Sequence, residues 1–248
     1  MGKKEVIIRL KNVSKTFHIK DKNVSSIRGR FFNLFNPNVS RKIEALDGIN
    51  MEIYKGEFIG IVGKNGSGKS TLLKIMSEVY PPDKGSIVEI SGRFQKLTLG
   101  TGFDEDLTAR ENIYLNASLN GLSFKKIGKI FYSIVEFAEL EDFVETKVKY
   151  YSSGMVSRLA FSIAVYADAD IFFMDELVGG VGDINFLQKS EQVFKDSILK
   201  GRTIINVSHD LDIISEYCDR VLLLDGGKQV AFDTPEVVLD KYKRISEG

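Results

Sequence analysis

Three features of the 248-residue chain predict an α/β fold with a mainly parallel sheet, some antiparallel β elements and an inserted helical subdomain. Short apolar, β-branched runs alternate with helical stretches. The later runs are apolar on both faces, as strands of a covered parallel sheet are, and one long central stretch has helical spacing with no strand pattern. The runs fall at residues 6–10, 58–62, 171–174, 203–207 and 221–224. Helices fit between them at 70–78, 153–167, 186–199 and 211–217. From about 108 to 167 the chain reads as helix: Ser123 is the expected N-cap of a segment where Ile127, Ile130, Phe131, Ile134 and Phe137 recur at helical spacing. A last helix is expected behind Thr234 as N-cap, with Pro235 at its first position. Residues 18–44 lack a strand pattern and read as an insertion.

Composition narrows the function classes. Hydrophobic residues at 43% and charged residues at 27% suit a folded chain rather than a disordered one. Basic and acidic residues balance at 34 each, so nothing points to nucleic acid as an obligatory partner. Cys218 is the single cysteine and His18 and His209 are the only histidines, which excludes an intrachain disulfide and argues against a structural zinc site. No run reaches the roughly 18 apolar residues of a membrane span, and the charged start leads to no signal-like apolar region. A cytosolic chain is expected, held at a membrane only through a partner.

Gly63, Lys64, Asn65, Gly66, Ser67, Gly68, Lys69 and Ser70, followed by Thr71, match G-x-x-x-x-G-K-[ST] between an apolar strand and a helix. Glycines let successive backbone N–H groups converge on one phosphate, and the helix N-terminus adds its positive dipole end. Lys69 is expected on the β- and γ-phosphates and Ser70 on Mg²⁺. A second element follows from the run ending in Asp175 and Glu176. Carboxylates at the C-terminal edge of a parallel strand lie where open α/β sheets bind ligands. Asp175 is expected in the Mg²⁺ shell, and Glu176 is expected to orient or deprotonate the attacking water. His209, just past another buried strand, is a candidate for contact with the γ-phosphate.

The stretch Tyr151, Ser152, Ser153, Gly154, Met155 opens a helix just upstream of the acidic strand. Taken locally it fits an N-capped amphipathic helix or a second anion site without a lysine. It resembles the signature motif of ABC ATPases in the form found in polysaccharide exporters. Three further passages resemble the same O-antigen, capsule and teichoic-acid exporter subfamily: residues 99–103, residues 107–115, and Val181-Gly182-Asp183. The resemblance covers nearly the whole chain. It implies one P-loop ABC ATPase domain over residues 1–248, with ATP and Mg²⁺ as cofactors. Two copies would sandwich ATP, with Ser152, Ser153, Gly154 and Met155 of one facing the γ-phosphate held by the other. It also implies a separate membrane permease as partner, a lipid-linked polysaccharide as cargo and a place on the cytoplasmic face of the membrane. A glycan-binding domain behind the last helix is not expected. The alternative is a soluble ABC-type ATPase acting on nucleic acid or ribosomes, although neither heptads nor a duplication appears.

The chain departs from the family in places. The Gln that senses Mg²⁺ in most members falls near Leu99 and Gly100 here, and Gln95 is out of register. Residues 177–180 make the link from Glu176 to Val181 longer by a residue than the usual exporter pattern. Phe17 is the candidate for stacking on adenine, the other reading being a simple core residue. In the insertion, Ile27, Phe31, Leu34 and Phe35 share one helical face beside Arg28 and Arg30, which fits either a packed surface helix or a basic amphipathic element at a membrane surface.

Overall fold

The structure is a computed structural model that describes residues 4–20, 40–97, 102–119, 121–166, 169–175 and 201–247. The expectations for Glu176, for Val181 to Asp183, for the helix at 186–199 and for the face from Ile27 to Phe35 lie outside the described residues.

Among the described residues nine strands form one sheet. In chain order they are β1 (Val6–Lys20), β2 (Ser40–Tyr54), β3 (Phe58–Val62), β4 (Ile87–Ile90), β5 (Phe94–Leu97), β6 (Ile171–Asp175), β7 (Thr203–Val207), β8 (Arg220–Asp225) and β9 (Lys228–Asp233). Their order in space is β4-β1-β2-β9-β8-β3-β7-β6-β5. From β8 to β5 the neighbours run parallel, whereas β9, β2, β1 and β4 continue the sheet mostly by antiparallel pairing. Among the described residues six helices accompany them: α1 (Lys69–Met76), α2 (Ala109–Leu119), α3 (Phe124–Ala138), α4 (Ser153–Val165), α5 (Leu211–Tyr217) and α6 (Pro235–Glu247).

The two faces of the central strands bury different partners. Ile59, Ile61, Phe173, Ile205 and Val207 pack under Leu72 and Leu73 of α1. Phe58, Phe172, Met174 and Ile204 pack on the other face with Phe161 of α4, Ile214 of α5 and Val238 of α6. Burial on both faces explains why these strands read as continuous apolar runs. The helical region has its own core of Ile113, Ile127, Phe131, Ile134 and Leu159, and Ser123 caps α3 as its sequence position predicts, accepting from the Lys126 N–H. Helix α4 belongs to both cores, since Phe161 and Ala164 face the sheet while Leu159 and Ile163 face α2 and α3. It is the strut that ties the residues at its N-terminus to the sheet.

The sheet differs from the sequence expectation at one end. Residues 18–20 and 40–44, read as part of an insertion, belong to the long β1–β2 antiparallel pair, with Phe17 opposite Ile43 and Lys20 opposite Ser40. Strand β2 escapes a periodicity reading because Asp47 and Gly48 interrupt its alternation, and the continuation of β1 beyond the run at 6–10 does because register shifts near Asn12 break its own.

At the sheet end opposite the phosphate loop, Glu57 is nearly sealed from water and accepts from Arg220 Nη2 at 2.5 Å and from the Tyr54 N–H at 2.8 Å. Arg220 also donates to the Glu52 carbonyl at 2.7 Å and lies 4.3 Å from the centre of the Phe232 ring. Removing one partner leaves a buried charge, so Arg220→Ala is expected to cost about 2–4 kcal/mol. That corresponds to a melting temperature lower by roughly 5–10 °C, and calorimetry showing an unchanged melt would refute it.

Candidate nucleotide site

The loop leaving β3 closes around its own lysine. Lys69 is 6% exposed, and its Nζ donates to the Gly63 carbonyl at 2.7 Å and the Lys64 carbonyl at 3.2 Å. Lys64, Asn65 and Gly66 form the exposed rim, while Ser67 is buried. The Ser67 hydroxyl is a buried group with no hydrogen-bond partner, and it sits in a loop of backbone donors. An anion in the cradle would satisfy it, so the residues present fit a bound phosphate. Ser70, exposed, and Thr71, half-buried, continue into α1.

Two glycines here are required by contact. A Cβ on Gly63 would stand 2.2 Å from the Leu224 carbonyl oxygen, and one on Gly68, at φ +104°, would stand 2.5 Å from that of Ala45. The cradle is thus pressed against β8 and β2. A support that the sequence reading missed is the turn between β8 and β9: the Gly227 N–H donates to the Ser67 carbonyl at 3.1 Å and its carbonyl accepts from the Asp47 N–H at 2.9 Å. The Asp225-Gly226-Gly227 run was the available signal, but only pairing places it behind the phosphate loop. Gly68→Ala is therefore expected to destabilise the chain by about 1–3 kcal/mol and to weaken triphosphate binding at least tenfold. Unaltered binding in a calorimetric titration would contradict this.

Asp175 ends β6, opposite Val207 of β7, which in turn lies opposite Ile61 of β3. Asp175 is thus level with a residue two places before Gly63, two strand spacings or about 10 Å across the sheet. Register partners share a face, and Ile61 and Val207 pack on the α1 side. That puts the half-buried Asp175 on the side where Ser70 opens α1. His209 is exposed, two residues past the end of β7. Behind it, the Asp210 N–H donates to Ser208 Oγ at 3.0 Å, and Asp210 caps α5 through the N–H groups of Asp212 and Ile213. Gly63, Asp175 and His209 therefore follow or end three adjacent parallel strands at one sheet edge. Gln95 lies inside β5 opposite Phe172.

The serine turn is built separately. Ser152, rather than Ser153, is the N-cap of α4: its Oγ accepts from the Met155 N–H at 3.2 Å, leaving Ser153 exposed in the first turn and Gly154 half-buried. A Cβ on Gly154 would meet only Ser152 Oγ, at 3.9 Å, so the fold itself does not demand glycine there. Tyr151 anchors the turn by donating to the Phe143 carbonyl at 2.7 Å, and burial pushes its phenol up to about 12. Phe17, near the end of β1, is half-buried and meets Tyr80 edge-to-face at 5.5 Å between ring centres.

Comparison with known proteins gives this arrangement a family. The profile described as ABC transporter matches residues 46–179. The chain is 35% identical to the O-antigen export system ATP-binding protein RfbB of Klebsiella pneumoniae over 97% of its own length and 98% of that protein. It is 37% identical to the teichoic acids export ATP-binding protein TagH of Listeria monocytogenes serotype 4b (strain F2365) over 98% of its own length and 71% of that protein. The solved dimeric structure of MJ0796, a bacterial ABC transporter cassette, superposes with a TM-score of 0.69 at 25% identity over 92% of this chain and 99% of that one. With more than half of its residues inside the profile and an export protein matched nearly end to end, the chain belongs to the ABC transporter family and is one of its ATP-hydrolysing cassettes.

Proposed function

We propose that the chain is the ATP-hydrolysing subunit of an exporter that moves lipid-linked polysaccharide through a separate membrane permease, working as a head-to-tail dimer on the cytoplasmic face. The observation that carries the ATPase part is the single sheet edge that gathers the Lys69 cradle, Asp175 and His209. Support for the cargo class comes from the export functions named for the two relatives. No described helix is long and apolar enough to cross a membrane.

In this reading each side chain has one task. Lys69 exchanges its loop carbonyls for the β- and γ-phosphate oxygens, and the N–H groups of residues 64–70 hold the same oxygens from behind. Ser70 and Asp175 would hold Mg²⁺, which would supply positive charge against the charge building up on the phosphates. Glu176 accepts a hydrogen bond from the attacking water and aligns it with the γ-phosphorus, while His209 donates to a γ-phosphate oxygen. Phe17 stacks on the adenine. Ser153, with the N–H group of Gly154, faces the γ-phosphate held by a second copy, which makes hydrolysis conditional on closure of the pair.

The test is reconstitution of the chain with a membrane permease that co-purifies with it, in vesicles loaded with a labelled lipid-linked glycan. ATP-dependent movement of the glycan across the bilayer is expected. Steady hydrolysis with no glycan movement would contradict the cargo assignment.

A further inference from the structure

The base end of the site holds an arrangement that the phosphate chemistry leaves unexplained. Four side chains alternate as cation, ring, ring, cation. Lys15 Nζ lies 5.4 Å from the centre of the Phe17 ring, Phe17 meets Tyr80 at 5.5 Å and 74°, and Lys74 Nζ lies 5.4 Å from the centre of Tyr80. Cations over ring faces and edge-to-face ring pairs each fix orientation as well as adding attraction.

Lys15 is pinned in place. Its side chain is 13% exposed, its Nζ donates to the Pro81 carbonyl at 2.6 Å, and Asp83 lies 4.0 Å away. The segment carrying Tyr80 is laced to β1 around it: the Asp83 N–H donates to the Ser14 carbonyl at 2.9 Å, the Thr16 N–H to Asp83 Oδ2 at 2.8 Å, and the Ser14 N–H to Ser86 Oγ at 3.1 Å. The same segment begins at the C-terminal end of α1, where the Val79 and Tyr80 N–H groups both donate to the Lys74 carbonyl, at 2.8 and 3.1 Å. Helix α1 starts at Lys69 in the phosphate cradle. One rigid connection therefore runs from the phosphate cradle along α1 to Tyr80 and on to Phe17. Phe17 remains half-buried rather than sealed in the core.

We propose that Lys15 and Tyr80 are positioning residues that hold the Phe17 ring at a fixed place relative to the phosphate cradle, so that it presents a preset stacking surface to the adenine base. The proposal rests on the reading of Phe17 as the adenine contact. It predicts an effect specific to the base: a ligand that has phosphates and no base should not sense either residue.

Calorimetric titration of the full chain with ATP and, separately, with inorganic tripolyphosphate tests it. Tyr80→Leu and Lys15→Met should each weaken ATP binding about three- to tenfold and leave tripolyphosphate binding as it was. In turnover both should raise KM more than they lower kcat, and Tyr80→Phe, which keeps the ring, should restore ATP affinity. An equal loss for ATP and tripolyphosphate in both variants would overturn the proposal, because it would mark the two residues as general supports of the fold. Unchanged ATP binding in both variants, with Phe17→Ala weakening it, would overturn the positioning role while keeping the adenine contact. Unchanged ATP binding in Phe17→Ala would remove the adenine contact itself and the proposal with it.

Discussion

Lys69→Ala is expected to lower ATP hydrolysis by about a thousandfold or more, the largest effect of any single substitution in this chain. The ammonium is almost closed off from water and held by two carbonyls of its own loop, so it is already in place before a phosphate arrives. A preset charge in a water-poor pocket acts on the charge that develops on the phosphates with little reorganisation, which is where such groups contribute most. The variant also leaves the Gly63 and Lys64 carbonyls without this donor, at a cost of about 1–3 kcal/mol in stability. A melt lowered by a few degrees is therefore expected beside the lost turnover. Hydrolysis reduced only severalfold, measured by phosphate release at saturating ATP, would contradict the role given to Lys69.

Ser153→Arg is expected to abolish hydrolysis nearly as completely, for a different reason. The Ser153 side chain is exposed in the first turn of α4 and lines a cavity of about 360 Å³ together with Phe103, Lys149, Tyr151 and Ser157. A long, charged side chain would fill the approach to the turn while the cap from Ser152 stays in place. The chain should fold and bind ATP through its own phosphate loop and still fail to close with a second copy. In a Glu176→Gln background, where ATP is held and not consumed, light scattering should show ATP converting monomer to dimer. Adding Ser153→Arg should remove that conversion. A dimer that forms with or without ATP and ignores Ser153→Arg would contradict the head-to-tail arrangement.

The parts of this account that could be read from the sequence are those with local causes. The phosphate loop is legible because its glycines and lysine act within eight consecutive residues, and β6 and β8 because burial on both faces leaves unbroken apolar runs. The Ser123 cap of α3 is likewise a local matter of one hydroxyl and the N–H three residues on. Strands β4 and β5, of four residues each, are too short for a period of two to stand out. The antiparallel hairpin of β1 and β2 hid behind the interruptions at Asn12, Asp47 and Gly48, where the chain keeps its pairing by shifting register. Contacts across the chain were the least legible. Gly227 behind Ser67 and Tyr80 against Phe17 join residues far apart in sequence, and only the sheet order and the path of α1 bring them together.

The composite site can be tested most directly by mixing two inactive proteins, purified Lys69→Ala and purified Ser153→Arg. In a head-to-tail pair made of one of each, one of the two sites combines the intact phosphate loop of the Ser153→Arg chain with the intact serine turn of the Lys69→Ala chain. Equal mixing should therefore restore phosphate release to about a quarter of the unmodified level, with neither protein active alone. A mixture as inactive as its components, under conditions where scattering shows that mixed pairs form, would contradict a site shared between two copies.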